Sequence, residues 1–413
     1  MADGLTLSYT QLAERADQAA RRLAALGVGM GYRVAVLLPP GVEFAAVLHA
    51  LPLLGAVLVP VNTRLSADER AWVIEDAGAR VVVEEPLDGD GDERVALRSA
   101  LDPEEPHCVI YTSGTTSRPK PVVLTYANHV ASARASAERL GVRDDDAWLG
   151  VLPLFHVGGL QVLLRSAIYG TAAVIEPGFD AERVKSLLES GAVTLASFVP
   201  TMVRRLRDAG WTSAPRLRAA LIGGGPVPGD LLEWAAERGL PLLQTYGMTE
   251  TASQVVTASG PDARARALPG VELWTTPEGE LLVRGPMVSR GALSDDGWLH
   301  TGDRGWVDAD GFVHVEGRIG DTIITGGENV AAPEVEAALL SHPAVRDAGV
   351  VGRPDPEWGQ IVVAYVVADG VSDDELLTHA RARLAGYKLP KAIHRLDELP
   401  RSAGGKLLRR QLD

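Results

Sequence analysis

Apolar positions recur at helical spacing near the start of the chain, where Leu12, Ala16, Leu23 and Leu26 share one face of a helix that Thr10 can cap and Gly27 can end. The period then shortens. RVAVLLP at 33–39 is an apolar, partly β-branched run of the kind that forms a strand buried on both faces. A helix over 42–50, a strand over 57–61, a helix over 67–78 and a strand over 80–85 follow in turn. This alternation predicts βαβ units, hence an α/β fold with a doubly wound parallel sheet and helices on both faces. The acidic, turn-rich stretch 87–106 reads as a surface connection leading into a strand over 107–112.

The longest apolar run, 47–61, contains His49 and Pro52 and falls short of the ~20 residues that a membrane span requires, so it is expected in a core. At 413 residues, more than one core is needed. Hydrophobic content of 46% with 23% charged residues suits a soluble globular enzyme and excludes a disordered or fibrous chain. The net charge of −14 argues against a nucleic-acid partner, which needs a basic footprint, and an anionic small ligand would need a local cationic site. Cys108 is the sole cysteine, so no internal disulfide forms, and the start MADGLTLSYT lacks a basic, then apolar, leader. A cytoplasmic protein is expected.

The candidate chemistry begins at YTSGTTSRPK, 111–120. Thr112, Ser113, Gly114, Thr115, Thr116 and Lys120 place hydroxyls, flexible backbone and one cation beyond a strand, a composition that can surround phosphate oxygens. The spacing G-x-x-x-x-G-K-[ST] is absent, and composition alone favours a surface turn rich in serine and threonine. The order of residues is more specific. TSGTTSRPKPVVLT resembles the phosphate-binding loop of the adenylate-forming superfamily, the acyl-CoA synthetases and ligases, with Ser117 and Pro121 where that loop usually has glycine.

Further motifs resemble the superfamily in its own order. GGGP (Gly223, Gly224, Gly225, Pro226) looks like the adenine-site turn. QTYGMTE resembles its Y-G-x-T-E signature, which implies that Tyr246 stacks on adenine beside Gly247, that Thr249 contacts phosphate and that Glu250 holds Mg²⁺, a cation suited to carboxylate. In TGD, Asp303 matches the ribose-binding carboxylate, and Arg318 in GRIGD matches the arginine of ribose and phosphate. LPRSAGGK matches the terminal motif, placing Lys406 as the catalytic lysine alongside Thr249 and Glu250. TGGENV, with Gly326 and Gly327, and Trp358 resemble the elements lining a CoA tunnel. The chain ends seven residues after Lys406, from which a free thiol such as CoA is expected rather than a fused carrier.

The resemblance implies a large N-terminal domain of doubly wound mixed sheets with helices (1–317), a hinge (318–321) and a small mobile α+β C-terminal domain (322–413). It also implies ATP, Mg²⁺ and CoA as cofactor and co-substrates, a small-molecule acid as partner, and the homodimer that members often form. The acid is addressed by LPLFHVGGLQVLLRSAIYG, 152–170. His156 is a candidate acyl-site residue or a satisfied core histidine. Arg165 is the only arginine or other formally charged group in that apolar run, and its burial requires an anion: a protein carboxylate or a second carboxylate on the substrate. The run PLFH-x-x-G-L…R-S-x-I-Y-G, followed by TLASFVPTMVRRL, resembles those superfamily members that activate 2-succinylbenzoate, which carries an aromatic carboxylate besides the activated succinyl one. That likeness assigns Arg165 to the aromatic carboxylate and adds Ser197 and Thr201 to the pocket. A monocarboxylate-specific CoA ligase, or an inactive nucleotide-binding homologue, remains the alternative.

Overall fold

The computed structural model describes residues 4–112, 119–260, 264–325, 328–402 and 407–412. The first helix, α1 (Tyr9–Ala25), is capped by Ser8 and not by Thr10. Ser8 accepts from the backbone of Gln11 while the Gln11 side chain returns to Ser8, a reciprocal box. Thr10 has Ala13 at the corresponding place, which returns nothing.

A first sheet follows from β1 (Arg33–Val36), β2 (Val57–Pro60), β3 (Val81–Val83), β4 (Pro106–Thr112) and β5 (Lys120–Thr125), with helices α2 (Val42–Ala50), α3 (Ala67–Asp76) and α4 (Tyr126–Leu140). Its order is β3-β1-β2-β4-β5. The first four strands are parallel as expected, but β5 returns antiparallel to β4, so the sheet is mixed. That return explains the tolerance of Pro121: it stands on the edge strand opposite Tyr111, where a missing N–H costs least. The apolar run 47–61 divides among α2, a 3₁₀ turn (Leu51–Leu54) and β2, all packed in this core.

The second sheet has β6 (Ala147–Gly150), β7 (Ala172–Ile175), β8 (Leu195–Phe198), β9 (Ala219–Ile222), β10 (Leu242–Met248), β11 (Ser253–Ala258) and β12 (Ala265–Ala267), in the order β12-β11-β10-β9-β8-β6-β7. From β10 to β7 the strands are parallel. They carry α5 (Val157–Tyr169), α6 (Ala181–Glu189), α7 (Pro200–Asp208) and α8 (Gly229–Glu237). α5 is buried along most of its length because it is wedged against both sheets. A third, antiparallel sheet comprises β13 (Glu272–Thr275), β14 (Glu280–Arg284), β15 (Leu299–Val307) and β16 (Val313–Arg318).

Beyond a 3₁₀ turn at Ile319–Asp321, a fourth sheet holds β17 (Thr322–Thr325), β18 (Glu328–Ala331), β19 (Val345–Asp355), β20 (Gly359–Ala368) and β21 (Ala392–Arg395), with α9 (Ala332–Leu340) and α10 (Asp373–Arg381). Its apolar cluster is drawn from residues 323–393 alone. Among the described residues no helix is long and apolar enough to cross a membrane.

One buried ion pair ties the second sheet to its loops. Arg218 Nη2 lies 2.6 Å from Asp146 Oδ2, and Asp146 also accepts from Thr194 Oγ1. Burial raises the Asp146 pKa, but hydrogen bonds from Arg218, the Arg143 amide and Thr194 outweigh it and hold the carboxyl below its usual value. A depressed folded-state pKa contributes stability that is present above the unfolded value and lost as pH falls through the folded one. Arg218→Ala strands a buried charge, so chemical denaturation at neutral pH is expected to show a loss of about 3–5 kcal/mol; the deficit should shrink as pH is lowered through the carboxylate range.

Candidate active site

The parallel strands of the second sheet deliver their carboxyl ends to one edge, where an open α/β sheet binds ligands. β6 leads to His156 at the start of α5, β8 to Thr201 in the first turn of α7, β9 to Gly223, and β10 to Thr249 and Glu250. These residues line a cleft of about 1380 Å³, more than one small ligand requires. Thr112 and Lys120 enter it from the first sheet, Thr301, Gly302 and Arg318 from the third, and Gly352, Arg353, Gln360 and Arg409 from the C-terminal region.

Tyr246, Asp303 and Arg318, the candidates for holding a nucleotide, form a connected group. Tyr246 Oη donates to Asp303 Oδ2 at 2.7 Å, Arg318 Nε lies 3.0 Å from Asp303 Oδ1, and Arg318 Nη1 donates to the Thr301 carbonyl at 2.5 Å. Asp303 and Arg318 face each other across the β15–β16 ladder. Burial, then the neighbouring Asp303 charge, raises the Tyr246 pKa, so its hydroxyl stays protonated and donates. A carboxylate oriented by such donors can still accept from hydroxyl groups, since its two oxygens offer about four lone-pair sites.

The glycines divide by task. A Cβ on Gly223 would sit 2.6 Å from the Thr245 carbonyl, and one on Gly247 would sit 2.0 Å from that of Ser253, so both permit strand contact. Gly224 is left-handed at φ +76° and lines the cleft, whereas Gly225 and Pro226 are exposed and lie outside its lining.

Thr249 and Glu250 sit in a 3₁₀ turn closing the β10–β11 hairpin. The Glu250 carbonyl accepts from the Ser289 amide at 2.8 Å, while its carboxylate and the Thr249 hydroxyl make no side-chain bond to another described residue. Hard oxygen donors facing a cleft with no protein partner fit Mg²⁺. The other clustered donors among the described residues, His107, Cys108 and His129, are fully buried and away from the cleft. The turn ends in strained backbone, Ala252 at φ 51° and Ser253 at φ 117°, at a cost of order 1–3 kcal/mol each.

Arg165, the candidate acyl-site residue, is 2% exposed and lies at the cleft. Its Nη1 donates to Gln254 Oε1 at 3.1 Å, its Nη2 to Ser132 Oγ at 3.0 Å, and its guanidinium stands 5.6 Å from the Trp148 ring centre. Its Nε is buried without a partner, and no carboxylate pairs with it among the described residues. Burial pulls its pKa down. Ser197 is oriented by Trp148, whose Nε1 donates to Ser197 Oγ at 3.1 Å. Burial, then the charge of Arg64, lowers His156 to about 4, so the imidazole is neutral near pH 7, with Nε2 buried and unpartnered.

Not every sequence candidate joins the cleft. Trp358 is half-exposed outside its lining, with Lys391 Nζ 5.2 Å from its ring centre. Ser113, Gly114, Thr115, Thr116, Gly326, Gly327 and Lys406 lie outside the described residues. Trp148, Gln254, Arg353, Gln360 and Arg409 line the cleft without having been singled out in the sequence. Of these, only Arg409, three residues beyond Lys406, had a positional signal; it bonds Asp321 at 3.1 Å and Glu336 at 2.8 Å.

The chain matches the AMP-binding enzyme family over residues 1–293 and the C-terminal domain of AMP-binding enzymes over 334–406. It belongs to that family of adenylate-forming enzymes. It is 41% identical to a 2-succinylbenzoate–CoA ligase of Bacillus cereus, over 98% of this chain and 93% of the relative. Among solved structures, o-succinylbenzoate CoA synthetase (MenE) from Bacillus subtilis in complex with the acyl-adenylate intermediate OSB-AMP superposes with a TM-score of 0.94 at 37% identity, covering 100% of this chain and 94% of that one. The same enzyme in complex with ATP and magnesium ion gives 0.92 at 36%, over 100% and 95%.

Glu250→Gln is expected to slow pyrophosphate release by about 10²-fold or more and to raise the Mg²⁺ concentration needed for half-maximal rate. Tyr246→Phe removes one bond to a buried carboxylate and is expected to raise the KM for ATP about tenfold, with kcat affected less. Steady-state kinetics at varied Mg²⁺ and ATP separate these outcomes.

Proposed function

We propose that the chain is an ATP-dependent ligase that converts 2-succinylbenzoate, ATP and CoA into 2-succinylbenzoyl-CoA, AMP and pyrophosphate, a step of menaquinone biosynthesis carried out in the cytoplasm. The observation that carries the substrate is Arg165: a buried guanidinium at the acyl side of the cleft, solvated by Gln254, Ser132 and the Trp148 face, with Nε unsatisfied and no carboxylate beside it among the described residues. A monocarboxylate would leave that charge buried and unmatched, whereas an aromatic carboxylate supplies the missing acceptor. Ser197, Thr201 and His156 line the cleft with it and shape the pocket.

In the first half-reaction a succinyl carboxylate oxygen attacks the α-phosphorus of ATP, the bond to the bridging oxygen breaks, and pyrophosphate leaves. Lys120, Thr249 and Lys406 provide cationic and hydroxyl groups for the phosphates, and Tyr246, Asp303 and Arg318 hold the nucleoside. Glu250 would hold Mg²⁺, which when bound would supply positive charge against the phosphate oxygens. In the second half-reaction the CoA thiol loses its proton, attacks the acyl carbon of the mixed anhydride and expels AMP. The C-terminal region would reorient between the two steps about residues 318–321, bringing Gly326, Gly327 and Trp358 to the thiol; a Cβ on Gly320 would meet nothing within 4 Å, so the backbone there has open space in which to turn.

Arg165→Leu is expected to lower kcat/KM for 2-succinylbenzoate by about 10²-fold while sparing benzoate or a fatty acid, assayed by pyrophosphate release; loss that does not discriminate between acids would remove the selector role. Lys406→Ala is expected to abolish adenylate formation yet retain CoA transfer from supplied acyl-AMP, and equal loss of both steps would contradict the two-conformation mechanism.

A further inference from the structure

The strained backbone that closes the Thr249–Glu250 turn must be over-determined by its surroundings to persist. Thr251 Oγ1 bonds the Ser253 carbonyl at 2.6 Å from within the turn, and the grip from outside the hairpin falls partly on one carbonyl. The Ala252 oxygen accepts from Gln161 Nε2 at 2.8 Å and from Ser132 Oγ at 3.1 Å, donors on α5 and α4. Gln161 Nε2 is also 2.8 Å from His129 Nδ1. Burial, then the Arg165 charge, lowers His129 to about 3, so its imidazole is neutral and Nδ1 can accept, with the ring proton on Nε2 directed at Cys108 Sγ, 3.4 Å away. The amide of Gln161 thus serves two acceptors through Nε2, and its Oε1 is left buried without a partner. Its orientation is set by what it holds.

Ser132 faces two ways. While its hydroxyl donates to the Ala252 carbonyl, its oxygen accepts from Arg165 Nη2 at 3.0 Å. The other Arg165 nitrogen, Nη1, donates to Gln254, two residues beyond Ala252 in the same hairpin. One hydroxyl therefore joins the acyl-site guanidinium to the carbonyl that closes the turn presenting Glu250.

We propose that Gln161 and Ser132 are positioning residues for nucleotide activation: by holding the Ala252 carbonyl they keep Glu250 directed at the metal–nucleotide complex, and through Ser132 that hold is tightened when a carboxylate fixes Arg165. The coupling to Arg165 rests on the substrate reading above; the hold by Gln161 does not. The dicarboxylate is then read twice, once in its own affinity and once in the affinity of the activated nucleotide.

The test is calorimetric titration of an ATP analogue whose α,β-bridging oxygen is a methylene, so that no adenylate forms, with and without Mg²⁺ and with and without 2-succinylbenzoate. Gln161→Leu is expected to weaken the Mg²⁺-loaded analogue at least about fivefold while the metal-free analogue binds within about twofold of the parent. Ser132→Ala, a smaller change to the core, is expected to show the same split at about threefold and to lose the tightening that 2-succinylbenzoate gives the parent. Equal weakening of loaded and metal-free analogue would reduce both residues to structural support, and parent-like binding in both variants, or no tightening by the acid in the parent, would overturn the proposal. Failure of the substrate reading looks different: 2-succinylbenzoate then drives no pyrophosphate release in the parent, whereas the metal-dependent split of Gln161→Leu requires no acid.

Discussion

A guanidinium sealed in a core, with no carboxylate beside it among the described residues, is the constraint to which the surroundings of α5 answer. Arg165 is fixed by α5, whose neighbouring positions are buried against two sheets, so its charge cannot swing to solvent. Among the described residues the groups that compensate it are neutral: the Gln254 amide, the Ser132 hydroxyl and the face of Trp148. Dipoles of this kind lower the cost of a buried cation without cancelling its charge. The site is therefore preorganised for an anion, and Trp148, which faces Arg165, also orients Ser197 on the adjoining strand.

The carboxylates of the candidate nucleotide site follow a different rule. Asp303 is already bound by Tyr246 and Arg318, whereas the Glu250 carboxylate, at the cleft, has no side-chain partner among the described residues. A carboxylate already oriented by protein donors suits the holding of a substrate, and one that faces the cleft without them suits the holding of a cation. Gly223 and Gly247 support both by letting strands approach where any side chain would strike a carbonyl.

Much of this was legible in the sequence because the information is local. The helix and strand periods gave the α/β class, and short ordered motifs marked Tyr246, Glu250, Asp303 and Arg318, each on a strand end or the turn after it. Arg165 stood out because one charge in an apolar run needs an explanation wherever it folds. What stayed hidden depends on contacts between distant segments: Trp148 with Ser197, Gln254 with Arg165, and Gln161 with Ala252 are 49, 89 and 91 positions apart. The antiparallel return of β5 was equally invisible, since a strand's direction is decided by what it pairs with and not by its own pattern.

The central claim is that the charge of the aromatic carboxylate, and not merely the shape of the acid, is what Arg165 selects. The most direct measurement compares kcat/KM for 2-succinylbenzoate with that for its analogue esterified only at the aromatic carboxylate, in the unmodified enzyme. The account predicts a fall of about 10²-fold or more for the ester, from leaving a buried guanidinium unmatched. Equal kcat/KM for the acid and the ester would contradict it.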